Sequence, residues 1–272
     1  MGREPDSAAV TRAIETVAAE IIRPRLGTMT AADIDEKSGP ADVVTAIDVA
    51  AEHALRDALA AIDPDAVLVG EEGVAADPSR LAALNGPRAC WLVDPIDGTA
   101  NFAVGLPLVA VMVAHVVGGE ARMAWIHDVM RNVTIAAAQG GGAFLGGQRL
   151  RTVAPRTSAH MAGIVSLRSG SRARAARIVA RLPQIGLTLG LRSAGLEYMA
   201  LAEGRVHYAQ YNRLLPWDHA PGALIVTEAG GIVRRIDGTR YRACDDAGTG
   251  APLVSAADEQ TWRWFVDDVI GG

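Results

Sequence analysis

Apolar positions along the chain follow two periods. Between Ser7 and Ile22, Val10, Ile14, Val17 and Ile21 recur at helical spacing, and Pro24 closes the segment. A second helix opens at Thr45, where Thr45 and Asp48 fit a capping box ahead of the run VAAEHALRDALAAI. DAVLVG and ACWLVD read as short buried strands, each ending in acid: Glu71 and Glu72 after the first, Asp94 after the second. From Leu108 to Ala138 the β-rich runs LVAVMVAHVV, RMAWIHDVM and VTIAAA, separated by turn signals, predict an antiparallel meander. The glycine cluster QGGGAFLGG that follows reads as a hairpin, because Leu145 stands where a dinucleotide-binding G-x-G-x-x-G would need its third glycine.

Beyond about residue 150 strands alternate with helices: GIVSL, RARAARIVARL, LTLGL, AGLEYMALAEG, VHYAQY, DHAPGALIVTEAGG and IVRRI. That alternation predicts an α/β protein with a more parallel second half. Residues 1–150 then form an α+β half and residues 151–272 an α/β half of one compact unit. The last long helix is expected to open at Asp218, with Pro221 in its first turn and Gly230 and Gly231 as its stop.

Composition narrows the class. The chain has 272 residues and is 50% apolar, enough for a sizeable core. No window reaches the roughly 18 uninterrupted apolar residues of a membrane span, and MGREPDSAAVTRAIE is a polar lead into a helix, so a soluble, cytoplasmic protein is expected. Cys90 and Cys244 lack metal-type spacing and read as small buried hydrophobes. The net charge of −5 is uneven: Val129 to Gly195 holds no Asp or Glu but ten arginines. Such a tract can attract anions, yet Arg172, Arg174, Arg177 and Arg181 fall on one predicted helix and read as its solvated face. Lys37 is the single lysine among 26 basic residues.

The candidate chemistry centres on WLVDPIDGTANF. Asp94 and Asp97 could simply make a turn. If the strand ends carrying Glu71 and Asp94 lie side by side, however, three carboxylates converge, and such a cluster either holds protons at raised pKa or binds cations. An all-oxygen donor set without His or Cys favours Mg²⁺, Mn²⁺ or Ca²⁺ over zinc, and the EF-hand pattern is absent. A helical turn beginning after Asp97 would offer Gly98 and Thr99 amides to a phosphate. In PWDHAPGALIVTEAGG, Asp218 is a helix cap or a further ligand. No G-x-S-x-G nucleophile elbow occurs, since Leu191 stands two residues before Ser193.

The segments EKSGPADVVTAIDVAAE, VGEEG, WLVDPIDGTANF and PWDHAPGALIVTEAGG, in that order over residues 37 to 235, together resemble the inositol monophosphatase family of Mg²⁺-dependent, lithium-sensitive phosphatases. The resemblance implies a layered α/β/α/β/α sandwich, usually a homodimer, acting on a small phosphorylated substrate with two or three Mg²⁺ ions and with neither membrane nor nucleic acid as partner. It implies that Glu71, Asp94, Asp97 and the Ile96 carbonyl are metal ligands, that Asp218 binds a second metal, and that Thr99, hydrogen-bonded to Asp48, orients the attacking water. Lys37 falls on the family's lysine near the metal loop, and Gly98 and Thr99 would hold the phosphoryl group. The reaction implied is in-line attack by metal-activated water on a phosphate monoester. Around the substrate the pattern departs from the inositol-selective one: Leu196 and Glu197 stand where small residues are expected, and Gln210, Tyr211, Asn212 and Arg213 where an acid is expected. Asp218, Glu197 and Tyr211 are the candidate substrate contacts. Inositol monophosphate is the expected substrate, with histidinol phosphate, other sugar or polyol phosphates and 3′-phosphoadenosine nucleotides as alternatives, and a non-catalytic binding member as the other class.

Overall fold

Asp6 starts the first helix by accepting the Ala8 N–H, and α1 (Ser7–Val17) buries Val10, Ile14 and Val17. The helix runs on to the expected end through one π turn, Ala18–Ile22, and a 3₁₀ turn, Arg23–Arg25, that takes in Pro24. The computed structural model describes residues 4–30, 34–39, 42–167, 170–245 and 251–271, with the backbone alone for 34–39, 42–44 and 158. Strands β1 (Ile34–Gly39) and β2 (Asp42–Thr45) form an antiparallel hairpin that the polar run EKSGPAD does not announce. Lys37 lies on β1, and its side chain is outside the described part.

Thr45 caps α2 (Ala46–Ile62) in the expected box with Asp48. Then come β3 (Val67–Gly70), α3 (Glu71–Ala76), a 3₁₀ stretch Pro78–Asn85, β4 (Cys90–Asp97) and the single turn α4 (Thr99–Ala103). Strands β5 (Ala110–Val117), β6 (Glu120–Asp128), β7 (Val133–Ala138), β8 (Gly142–Leu145) and β9 (Gln148–Arg149) complete a seven-stranded sheet of order β3-β4-β5-β6-β7-β8-β9. The first pair is parallel, with Gly70 opposite Val93, and the others are the antiparallel meander.

The second half supplies β10 (Ala162–Val165), α5 (Arg172–Arg181), β11 (Leu187–Leu189), α6 (Ala194–Ala202), β12 (Tyr208–Tyr211), α7 (Pro216–Glu228), β13 (Ile232–Arg235), β14 (Leu253–Ala256) and α8 (Glu259–Trp264). Its sheet has the order β11-β10-β12-β14-β13. β10 is parallel to both neighbours as expected, whereas β14 is antiparallel to β12 and β13. A parallel return needs a crossover, usually a helix, and none is present between Arg235 and Leu253 among the described residues. One boundary also moves: α7 begins at Pro216, so Asp218 is its third residue and Pro221 lies inside the helix. The better opening is the earlier proline, whose fixed φ and missing N–H suit the first helical position.

Side-chain alternation places the layers. One face of the large sheet packs Trp91, Val93, Val111, Val113 and Trp125 against Ile14, Leu55 and Leu59 of α1 and α2. The other face, with Leu92, Met112 and Ala114, meets Leu201 of α6 and Ile225 and Val226 of α7, and these helices touch Ala209 and Leu253 of the second sheet. Tyr208, Val254 and Ala256 cover that sheet's far side with Ile178 and Phe265. Helix, sheet, helix, sheet, helix is the layering expected. Cys90 is buried but Cys244 only half-buried, so the cysteines do not form a matching buried pair. Within the arginine-rich tract α5 buries only Ile178, and Arg177 donates to the Ile270 and Gly271 carbonyls. No helix among the described residues is long and apolar enough to cross a membrane.

Candidate active site

The parallel pairing of β3 and β4 sets their C-terminal ends side by side, which delivers Glu71 and Asp94 to one place. Asp94 is 2% exposed and accepts the Ile96 N–H at 3.1 Å. Burial, then the charges of Glu71, Asp97, Asp218 and Asp48, push its carboxyl well above the ordinary range. The carboxylates that sequence reasoning assigned to one site are therefore electrostatic neighbours of a single buried aspartate.

Asp97 ends β4 and is buried, and its pKa is raised to about 6, chiefly by burial, although three donors oppose the shift. Its Oδ2 accepts from Ser193 Oγ at 2.6 Å and Gly195 N at 2.7 Å, and its Oδ1 accepts from Ala194 N at 2.9 Å. Asp97 thus fastens the first turn of α6 to the end of β4. Gly195 permits this approach, because a Cβ there would lie 2.9 Å from Ala110 Cβ and 3.1 Å from Asp97 Oδ2. Asn101 reinforces the junction, its amide donating to the carbonyls of Leu108 at 2.9 Å and Leu191 at 2.8 Å.

Gly98 takes φ +93°, and a Cβ on it would meet the Leu108 carbonyl at 2.7 Å, so both backbone conformation and space demand glycine before the α4 turn. The Thr99 hydroxyl lies 3.1 Å from Asp48 Oδ1 and 2.9 Å from the Ile96 carbonyl. Its one proton serves either acceptor. Asp48 Oδ2 accepts from Thr45 N and Thr45 Oγ1, and burial raises its carboxyl to about 6 against these hydrogen bonds. The capping role and the contact to Thr99 coexist, one on each carboxylate oxygen. Asp218, in the first turn of α7, is half-buried.

Glu197 and Tyr211 are both buried and face each other. Glu197 accepts the Leu191 N–H at 2.9 Å, and burial lifts its pKa to about 7 against the Leu191 and Arg192 amides and Tyr211. As it stands this carboxylate holds the loop before α6, in which Arg192 has φ +55°. Sequence reasoning gave Asn101 no role, and it saw Ser193 only as a failed nucleophile elbow. A Ser directly before a helix start, as in S-A-G-L-E, was the available signal.

Whether these residues suit a metal is answered by their donors. Among the described residues no three His, Cys, Asp or Glu side chains are gathered closely enough to hold a metal ion as they stand, and Asp94 and Asp97 place oxygens on backbone amides and Ser193. The donor set is nonetheless all carboxylate and carbonyl oxygen, gathered around a buried aspartate whose charge the four neighbouring acids disfavour. Such a set fits a hard divalent cation.

A layered sandwich with buried acids at parallel strand ends beside a glycine-initiated helical turn is a setting in which an oxygen-liganded cation and a phosphate can meet. The chain belongs to the inositol monophosphatase family, whose family model matches residues 4–265. It is 32% identical over 212 residues to the fructose-1,6-bisphosphatase/inositol-1-monophosphatase of Thermotoga maritima, covering 78% of each chain. It is 35% identical over 204 residues to the inositol-1-monophosphatase SuhB of Mycobacterium tuberculosis, covering 72% of this chain and 70% of that one. Among solved structures, the Thermotoga maritima inositol monophosphatase superposes with a TM-score of 0.79 at 26% identity, covering 96% of both chains. A Staphylococcus aureus family member solved with inositol monophosphate bound superposes at 0.77 and 20% identity, covering 97% of this chain and 93% of that one. The protein is a phosphatase of a metal-dependent family.

Proposed function

We propose that the protein hydrolyses a small phosphate monoester, inositol monophosphate first, with Mg²⁺ as cofactor, and that residues 1–150 and 151–272 act as one catalytic unit. The observation that carries this reading is Asp94, buried and surrounded by Glu71, Asp97, Asp218 and Asp48. Glu71, Asp94, Asp97, Asp218 and the Ile96 carbonyl would hold two or three cations, which when bound neutralise phosphate charge and acidify water.

The chain's own residues do the remainder. Asp48 accepts the hydrogen bond of the Thr99 hydroxyl, which leaves a Thr99 lone pair to accept from the attacking water and aim it. The amides of Gly98 and Thr99 receive phosphoryl oxygens as charge redistributes. Asp97 binds α6 to the site, so the substrate is enclosed by both halves. Glu197 and Tyr211 face the alcohol part of the ester, and Lys37 offsets phosphate charge. A cytoplasmic, lithium-sensitive homodimer completes the reading that the family supports.

Phosphate release from inositol 1-phosphate, fructose 1,6-bisphosphate, histidinol phosphate and an adenosine monophosphate, with and without Mg²⁺, tests it. Release is expected with Mg²⁺ alone, fastest on the inositol ester, and it should fall at least about 1000-fold in Asp94→Asn. The same variant should melt higher than wild type without metal, because it removes a repelled buried charge. A wild type inert on every ester, or an equally active Asp94→Asn, rejects the proposal.

A further inference from the structure

Glu71 is the first residue of α3, a helix whose N-cap is Gly70 and therefore offers no side-chain acceptor to the first-turn amides. A helix end left this way needs its N–H groups satisfied from elsewhere. The acceptor comes from α2. Glu52, 1% exposed, takes the Glu72 N–H at 2.7 Å on Oε2 and the Gly73 N–H at 3.0 Å on Oε1, while Arg56 donates to Oε1 at 3.2 Å.

The glycines flanking Glu71 are shaped to this contact. A Cβ on Gly70 would lie 2.3 Å from Glu52 Oε2, and one on Gly73 would lie 3.1 Å from Oε1. Glu52 also follows Asp48 by four residues, which puts both on one face of α2. One helix face thereby fixes Thr99 through Asp48 and the turn bearing Glu71 through Glu52. These two attachments link the β3 and β4 strand ends to a common rigid element.

We propose that Glu52 is a positioning residue: by holding the first turn of α3 it orients the Glu71 carboxylate toward Asp94 and so sets the protein's affinity for divalent cations. The inference rests on the metal-dependent reading above. A purely structural cap would change melting temperature and leave the affinity of the folded protein alone.

The test is Mn²⁺ binding followed by electron paramagnetic resonance, without substrate, on wild type, Glu52→Gln and Glu52→Asp, at a temperature where circular dichroism shows the protein folded. The amide of Gln cannot accept on both sides, and Asp keeps the charge but falls one methylene short. Each variant is expected to weaken Mn²⁺ binding about tenfold, with a matching rise in the Mg²⁺ concentration for half-maximal phosphate release and a smaller change in kcat at saturating Mg²⁺. Glu203→Gln, which removes a half-buried acid paired with Arg131 and Arg205, should leave Mn²⁺ affinity unchanged. If Glu52→Gln does not fold, Glu52→Asp decides. Wild-type binding matched within twofold by folded Glu52→Asp overturns this inference alone, whereas a wild type that binds no Mn²⁺ overturns it together with the metal-dependent reading.

Discussion

Glu197 carries a proton where an exposed glutamate would not. Burial lifts its pKa from 4.5 to about 7, and the Leu191 amide it accepts from only partly opposes that shift. The sign of the consequence follows by linkage: between pH 4.5 and about 7 the folded state binds more proton than the unfolded one, so stability falls as pH rises and the loss is complete above about 7. At roughly 1.4 kcal/mol per pKa unit, the group costs on the order of 3 kcal/mol at pH 8. Glu197→Gln keeps an acceptor for Leu191 and cannot ionise. Urea unfolding of both proteins should therefore show the variant gaining on wild type by up to about 3 kcal/mol between pH 5 and pH 8. A difference that stays flat over this range would assign the buried proton elsewhere.

At the scale of elements, the join between β4 and α6 is built from groups far apart in the chain. Asn101, buried, donates to Leu108 and Leu191, and Asp97 gathers Ser193, Ala194 and Gly195. Asn101→Ala leaves two half-buried carbonyls without this donor and should destabilise the fold by about 1 kcal/mol. Because the Leu191–Gly195 loop then loses a tether, turnover should fall more than thermal stability alone explains. Equal activity per folded molecule would make the tether purely structural. The same distances explain what could be read in advance. Strands β3 and β4 were legible because an apolar run ending in acid announces a buried strand, and Thr45 with Asp48 carried a local capping pattern. The hairpin β1–β2 lacks alternation, and the antiparallel β14 depends on a connection with no local code. Glu52, Ser193 and Asn101 reach partners 20, 96 and 90 residues away, so no window around any of them contains its reason for being there. The family resemblance supplied the candidate ligands and the Asp48–Thr99 contact, not the supports from Glu52, Ser193 and Asn101.

The whole molecule titrates as two opposed sets. His127 and His219 are buried, with pKa lowered to about 4 mainly by burial, so they favour the folded state increasingly as pH rises from about 4 to 6.5 and add nothing beyond. Asp48 and Asp97, raised from 3.8 to about 6, and Asp94, raised well above its ordinary value, act the other way: the folded state holds their protons longer, and for Asp48 and Asp97 stability drains as pH rises from 3.8 to about 6 and the loss is complete above it. Between about pH 4 and 6 the sets compete, and above about 6.5 neither the histidines nor Asp48 and Asp97 change stability further. Metal-free protein at pH 8 has accordingly lost in full the stability that these protons lend Asp48 and Asp97 in acid. Cations that take the place of those protons reverse the loss, and saturation a hundredfold above the dissociation constant adds about 2.7 kcal/mol, roughly 5 °C or more for a chain of this size. The rise produced by Mg²⁺ should be larger at pH 8 than at pH 5.5, where protons still occupy the carboxylates. Differential scanning fluorimetry at both pH values decides the matter, and a Mg²⁺ effect that is absent, or equal at both, would mean that these acids do not form a cation site.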